Sequence, residues 1–451
     1  MTRTGTSGGS ATLAQRNRVL LGVAVAAVLG ALFFSVLTVI TTNGSRGGGE
    51  GADRERVAYF ADWNTANRGY RILDVAESGA AEHMSTLLWA FGDVNAEGLC
   101  YIDPDANQPW EIYQRRYDAA DSVDGEGDEH DQQLAGSLNQ LDKLKDDHAH
   151  LRAGISLGGW NWSTYFSNAA ATEESRAEFA RSCIDLWLRG NLPQLNDEPQ
   201  GGEGAAEGVF DGIDIDWEWP GGGGHADNVT RPDDGANFTL MVRELRRQLD
   251  DYAEESGRDL FLSASFPHSE ELMRAGVEPE VFDYLDFATV QGYDFTGTWS
   301  DVTDHHSQLY APEGAPSSAS AHAAVQRYLD HGLPAEKLVL GIPAFGRGWT
   351  GVDRANFGRF QPGEPAEGSY GAGVDPYNEL QERPGQRFLD PVNGAYWIYD
   401  GTEWWTYDTP WIVNMKGEYA REHDLGGLML WNLDQDPDAE LVEAMDTGLA
   451  E

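Results

Sequence analysis

Phe210-Asp211-Gly212-Ile213-Asp214-Ile215-Asp216-Trp217-Glu218-Trp219-Pro220 places four carboxylates within eight residues of otherwise apolar chain. Read as a β-strand, it sends successive side chains to opposite faces. Asp214, Asp216 and Glu218 then share one face at steps of about 6.6 Å, while Ile213, Ile215 and Trp217 share the other. Like charges this close cannot all stay ionised, so at least one pKa is expected to rise, which suits a general acid working near neutrality. A solvated strand face in an acidic protein is the competing reading, and it fits poorly with the aromatic and glycine flanks and the apolar opposite face. Asp211 has the odd position and points away from the other three, which suggests a structural role: a bond to Ser156 or to nearby backbone.

Outward from this strand, short β-rich apolar runs alternate with longer amphipathic ones, the pattern of βα units around a parallel sheet. Eight strands are expected, over Val57–Asp62, Thr86–Gly92, Arg152–Gly158, Gly212–Glu218, Leu260–Ser265, Phe287–Tyr293, Lys337–Gly341 and Gly427–Trp431. Helical periodicity marks Leu134–Asp146, Glu173–Arg189 and Ala236–Glu255 between them. Eight such units predict an α/β fold, the TIM (β/α)8 barrel, whose chemistry sits at the carboxyl ends of its strands; Glu218 ends the fourth.

Two stretches interrupt the alternation. Tyr101 to Gln133 is polar and carries Asp118, Asp121, Asp124, Glu126, Asp128 and Glu129 without the ligand spacing of an EF-hand, so it reads as a solvated acidic loop. The stretch from Trp349 to His423 is far longer than one βα connection. In it Tyr396-Trp397-Ile398-Tyr399 and Trp404-Trp405-Thr406-Tyr407 flank Asp400-Gly401, which predicts a hairpin. Residues 349–423 are therefore expected to form a small α+β subdomain between strands seven and eight, walling one side of a cleft, with the barrel over 53–348 and 424–451. Most of its aromatics are expected to be core.

The net charge is −44 over 451 residues, which excludes binding nucleic acid or an anionic membrane surface through a basic patch. Only four of the 31 basic residues are lysine, and acid excess with lysine depletion resembles proteins of salt-adapted cells. Val19 to Ile40 is an uncharged apolar run of 22 residues, long enough to span a bilayer. Arg3, Arg16 and Arg18 precede it and Arg46 alone follows within 41–52, so residues 1–18 are expected in the cytoplasm and the catalytic part outside, on a short tether at 41–52. A cleaved signal segment is the competing reading and gives the same address, although no Ala-x-Ala site follows the run. Cys100 and Cys183 are the only cysteines; a disulfide and two buried thiols fit equally. Asn43, Asn161, Asn228 and Asn237 begin Asn-x-Ser/Thr patterns. His225, His268, His305 and His306 have no metal-ligand spacing and read as solvated or structural.

Taken together, the motifs resemble those of the family 18 glycoside hydrolases, the chitinases and their relatives. Asp211, Asp214, Asp216 and Glu218 match that family's Asp-x-x-Asp-x-Asp-x-Glu. Ser156-Leu157-Gly158-Gly159-Trp160, Gln291-Gly292-Tyr293-Asp294, Leu338-Val339-Leu340-Gly341-Ile342-Pro343 and Gly427-Leu428-Met429-Leu430-Trp431 are similar to its strands three, six, seven and eight. The resemblance implies a chitinase that hydrolyses β-1,4 bonds between N-acetylglucosamine units with retention, the substrate's own acetamido group attacking to give an oxazolinium ion. It implies Glu218 as proton donor, Asp216 as the group that orients the acetamido N–H, Asp214 as holder of a shared proton, and Tyr293 as donor to the acetamido oxygen. Trp431 lies beneath the scissile sugar on this reading, and Asp294, Gln291, Trp160 and Trp63 contact substrate. Ser156, Gly158, Gly159 and Asp211 give structural support. Gln291 stands where the family has methionine and Trp219 where tyrosine is common, which bears on substrate preference. The implied partner is chitin or its oligosaccharides, cut endo-wise along a long groove by a monomer that needs no cofactor and no metal and meets the membrane only through its N-terminal segment. Cleavage of other acetamido glycans by an endo-β-N-acetylglucosaminidase shares the motif, and a chitin-binding lectin is the reading from outside enzymology.

Overall fold

Eight runs, apolar along nearly their whole length, are suited to strands buried on both faces, as a parallel sheet covered by helices requires. The computed structural model describes residues 54–104 and 109–450. Its barrel strands are β1 (Glu55–Ala61), β2 (Thr86–Val94), β3 (Arg152–Gly158), β4 (Gly212–Asp216), β5 (Phe261–Phe266), β6 (Phe287–Val290), β7 (Leu338–Pro343) and β8 (Gly427–Trp431). Neighbours pair in parallel in the order β1-β8-β7-β6-β5-β4-β3-β2, and β1 pairs with β2 to close an eight-stranded barrel consistent with the TIM fold.

Strand parity separates two apolar regions. Ile213, Ile215 and Trp217 face the helical layer, where Trp217 stacks on Phe166 at 5.7 Å and meets Phe238 edge-on at 5.8 Å. Phe238 belongs to the helix Asp234–Ser256, which ends at Gly257 in the left-handed region (φ 72°). A second cluster lines the barrel interior and mouth, with Val57, Tyr59, Phe91, Phe261, Phe287, Tyr293, Val339, Phe345 and Met429.

The ends of two strands differ from expectation. β4 stops at Asp216 and β6 at Val290, so Glu218 and Tyr293 stand beyond the ladders that were expected to include them. Past Asp216 the chain finds a side-chain partner in place of a strand: the Glu218 N–H donates to Ser163 Oγ at 2.9 Å. The helix expected over Glu173–Arg189 is α-helical over Glu173–Cys183 and π-helical over Ile184–Leu188.

Between β7 and β8 the strands Phe345–Thr350, Glu364–Pro365, Val374–Pro376, Gln386–Asp390, Ala395–Tyr399 and Trp404–Tyr407 form an antiparallel sheet. It begins at Phe345, before the Trp349 expected. The hairpin sets Tyr399 opposite Trp404, and Asp400 Oδ1 accepts the Thr402 and Glu403 N–H groups, both at 2.7 Å, to shape its turn.

Cys100 and Cys183 form a disulfide across 83 residues, settling the alternative left open by the sequence. The acidic loop is pinned in place, contrary to a freely solvated reading. Lys143 Nζ donates to Ser122 Oγ at 2.8 Å and Asp124 Oδ1 at 2.9 Å, and Arg71 pairs with Asp121 at 2.8 Å. The apolar run 19–40, with 1–18 and the tether 41–52, lies outside the described residues. Among the described residues no helix is long and apolar enough to cross a membrane.

Candidate active site

β4 runs between β3 and β5 with Asp214 in register with Ser156 and Ser263. Asp214 is fully buried and accepts three hydroxyl hydrogen bonds: Tyr59 Oη at 2.9 Å and Ser156 Oγ at 2.7 Å on Oδ2, and Ser263 Oγ at 2.7 Å on Oδ1. Burial pushes its pKa up, and the three hydroxyls oppose that only in part. Two residues on, burial and then the charge of Asp214 push Asp216 up to about 8. Asp216 Oδ1 is buried with no hydrogen-bond partner among the described residues. A buried acceptor left open costs about 1–3 kcal/mol, which an incoming N–H would recover.

Glu218 is half-buried at the rim. Burial first, then Asp216 and Asp294, raise its pKa well above the carboxylate range, so it holds a proton near neutrality. Its backbone is fixed on both sides: its N–H by Ser163, and its carbonyl by Asn228 Nδ2 at 2.7 Å. Ser163 Oγ in turn donates to the Gly159 carbonyl at 2.8 Å. The glycines of β3 are there for close approach. A Cβ on Gly158 (φ 109°) would lie 2.5 Å from the Asp216 carbonyl oxygen, and one on Gly159 (φ 75°) 2.4 Å from the Phe91 ring.

Tyr293 is buried edge-on to Phe345 at 5.8 Å. Burial, then Asp216, Glu218 and Asp294, raise its pKa, so the phenol keeps its hydrogen. Asp294 takes a left-handed backbone (φ 58°), which breaks strand alternation and lets adjacent residues both act on Glu218's surroundings. Burial pushes the Asp294 carboxyl up, but Arg347, with Nε at 2.8 Å, and His306 hold it below its usual value.

Trp431 is half-buried at the end of β8, edge-on to Tyr59 at 5.0 Å and stacked on Phe91 at 5.8 Å. Trp63 stacks on Phe91 at 5.9 Å and meets Trp162 at 5.6 Å, so these rings form an aromatic shelf beside the acids. Trp160 stands apart from it, 49% exposed and edge-on to His225 at 6.2 Å. Gln291 is half-buried just past β6, its N–H on the Phe266 carbonyl at 3.0 Å, with no side-chain bond to the acids. Asp211 accepts the Ala153 N–H at 2.9 Å and pairs with Lys145 at 2.7 Å and Arg258 at 3.3 Å. Of its two expected partners, Asp211 meets nearby backbone, while Ser156 bonds Asp214. The sequence reading missed Tyr59, Phe91, Trp162, Ser163, Ser263 and Arg347. Trp162 and Ser163 directly follow the glycine run of β3, and Ser263 with Ser265 makes a polar alternation in an apolar strand; Arg347 has no local signal.

A proton held at the rim, an open buried acceptor beneath it, a phenol and a ring shelf are parts that can protonate a leaving oxygen and clamp a neutral amide. Comparison with known proteins agrees. The profile of Glycosyl hydrolases family 18 matches residues 55–436. The chain is 34% identical over 422 residues to Chitinase 63 of Streptomyces plicatus, covering 91% of this chain and 63% of that protein. It is 33% identical over 406 residues to Chitinase C of Streptomyces lividans, covering 88% and 60%. It thus spans about three fifths of the length of these curated relatives. The catalytic domain of psychrophilic chitinase B from Arthrobacter TAD20 superposes with a TM-score of 0.84 at 38% identity, over 88% of this chain and 96% of that one. With the profile covering nearly the whole barrel and the acids in place, the chain belongs to glycosyl hydrolase family 18.

Proposed function

We propose that this protein is a chitinase that cleaves β-1,4 bonds between N-acetylglucosamine units with retention, using the substrate's acetamido group as nucleophile. The observation that carries this reading is the open, buried Oδ1 of Asp216 between the hydroxyl-bound Asp214 and the protonated Glu218. Asp216 accepts the acetamido N–H and offsets the positive charge that develops on the ring. Asp214 shares a proton with it. The Tyr293 hydroxyl donates to the acetamido oxygen and turns it toward the anomeric carbon. Glu218 gives its proton to the glycosidic oxygen, the bond to the leaving sugar breaks, and an oxazolinium ion forms. The ionised Glu218 then takes a proton from water as that water opens the ion. Trp431 stacks on the sugar at the cleavage point, Trp63 and Trp160 meet flanking sugars, and Asp294 and Gln291 contact substrate from the end of β6.

The sheet between β7 and β8, with its helices, serves as the cleft wall over 345–423, favouring internal cleavage of long chains by a monomer. The run 19–40 holds the enzyme at, or passes it to, the outer face of the cell. The names of the relatives, chitinases of two Streptomyces species, support the substrate assignment. Product analysis on chitin oligomers and colloidal chitin tests the reading: short N-acetylglucosamine oligomers are expected from both, whereas activity on N-linked glycan cores alone would replace chitin with another acetamido glycan. The acid surplus is read as adaptation to salt. Transfer from molar to low salt is expected to lower the melting temperature through unscreened repulsion; a flat response would remove that reading.

A further inference from the structure

The segment following β6 returns beneath Asp294 and buries His306 completely. Neither ring nitrogen of His306 has a hydrogen-bond partner among the described residues. Its Nδ1 lies 3.7 Å from Asp294 Oδ1, beyond hydrogen-bond range by a distance that a small shift removes. The Phe345 ring is 5.2 Å from the imidazole, and the Phe295 N–H donates to the His306 carbonyl at 3.1 Å, so the residue after Asp294 is tied to His306.

The charged neighbours of this pair are few, and most are already engaged. Arg347 holds the same Asp294 oxygen, Oδ1, through Nε at 2.8 Å and Nη2 at 2.7 Å, and His268 and Glu218 feel the same carboxylate. Beyond His306 lies Asp408, which is bonded to Ser307 Oγ at 2.7 Å and paired with the buried Lys416. His305 next to it is bonded to Thr406 Oγ1 at 3.0 Å. Burial, opposed by Asp294, keeps the His306 pKa below its ordinary value, so the ring is neutral at neutral pH and carries one N–H. A neutral ring that only filled space would leave two buried polar atoms unmatched, where a phenyl ring would leave none.

We propose that His306 is a positioning residue for Asp294: its Nδ1–H closes onto Asp294 Oδ1 when the substrate's acetamido group engages the site, joining Arg347 so that the two side chains clamp that oxygen. Bonds of this kind are often long in the free enzyme and tighten in the complex. The inference rests on the reading that Asp294 serves the bound sugar. The clamp favours the ionised form of Asp294, so removing the donor makes Asp294 easier to protonate as pH falls.

The test compares His306→Leu, His306→Phe and His306→Gln with wild type and Asp294→Asn, measuring kcat/KM on chitin oligomers across pH. Leu and Phe remove the donor and are expected to lower kcat/KM by about tenfold and to move its acidic limb up by about one pH unit, while Gln, which keeps an N–H, retains both near wild type. If Asp294→Asn alters the limb and the apolar His306 variants do not, the proposal is wrong and the reading of Asp294 stands. If Asp294→Asn leaves the limb unchanged, both fall. Equal losses in Gln, Leu and Phe would make His306 a packing residue and overturn the clamp. Should neither apolar variant fold, the wild type decides through its imidazole 15N shifts: a proton on Nδ1 in the complex with a chitin oligomer is expected, and a proton on Nε2 alone overturns the proposal.

Discussion

Asp211 and Asp216 come from the same short stretch of chain and have the same side chain, yet their surroundings are opposite. Asp211 points outward, keeps some exposure, and meets two cations, Lys145 and Arg258, plus a backbone N–H. Asp216 points inward, is buried, and has a second carboxylate for a neighbour and no cation beside it. Only strand parity separates them. Cations compensate the first charge, making it a structural tie between β3, β4 and the outer layer. For the second, compensation is withheld, which leaves protons bound where chemistry near neutrality needs them. In a chain with 75 acids, the informative feature is the local absence of a base beside three of them.

The contrast is broken most sharply at Glu218. Glu218→Gln keeps size and removes only the transferable proton; a loss of about 10²–10⁴-fold in kcat with chitin-oligomer binding retained is expected in steady-state kinetics and calorimetry. Near-normal turnover would mean that the rim acid is not the donor. The next effect is on pH. Asp216 is raised in the folded state, so the stability linked to its neutral form is present at pH below its unfolded value near 4 and is lost as pH rises through about 8. Melting temperature is expected to fall over that window, and less so in Asp216→Asn; an identical slope in the two proteins would assign the titration elsewhere. The smallest change belongs to the outward acid. Asp211→Asn leaves two cations without their counter-charge and is expected to reduce stability by about 1–3 kcal/mol in denaturant titrations, with kcat unchanged. A drop in kcat comparable to that of Glu218→Gln would erase the division between the two faces.

Parity within β4 was legible because alternation is a property of one strand and needs no partner. The same holds for the eight apolar runs and for Gly158 and Gly159, whose lack of a side chain lets β3 lie against Asp216. What the chain did not disclose was the partner set. Tyr59 reaches Asp214 across 155 residues, a contact that exists only because β1 closes the barrel. Arg347 meets Asp294 across 53 residues from the first strand of the sheet after β7, and nothing in its neighbourhood marks it. The left-handed turn at Asp294 explains why alternation fails there: the strand has already ended at Val290. The cysteine pair was undecidable for the same reason, since proximity across 83 residues follows from packing.

If the open acceptor on Asp216 serves a substrate that supplies its own nucleophile, the cut must retain the anomeric configuration. The anomeric form of the first product, followed by proton NMR during hydrolysis of a chitin oligomer, tests it most directly. The new reducing end is expected to appear initially as the β-anomer and only later to equilibrate; initial release of the α-anomer would show direct attack by water and rule out substrate assistance.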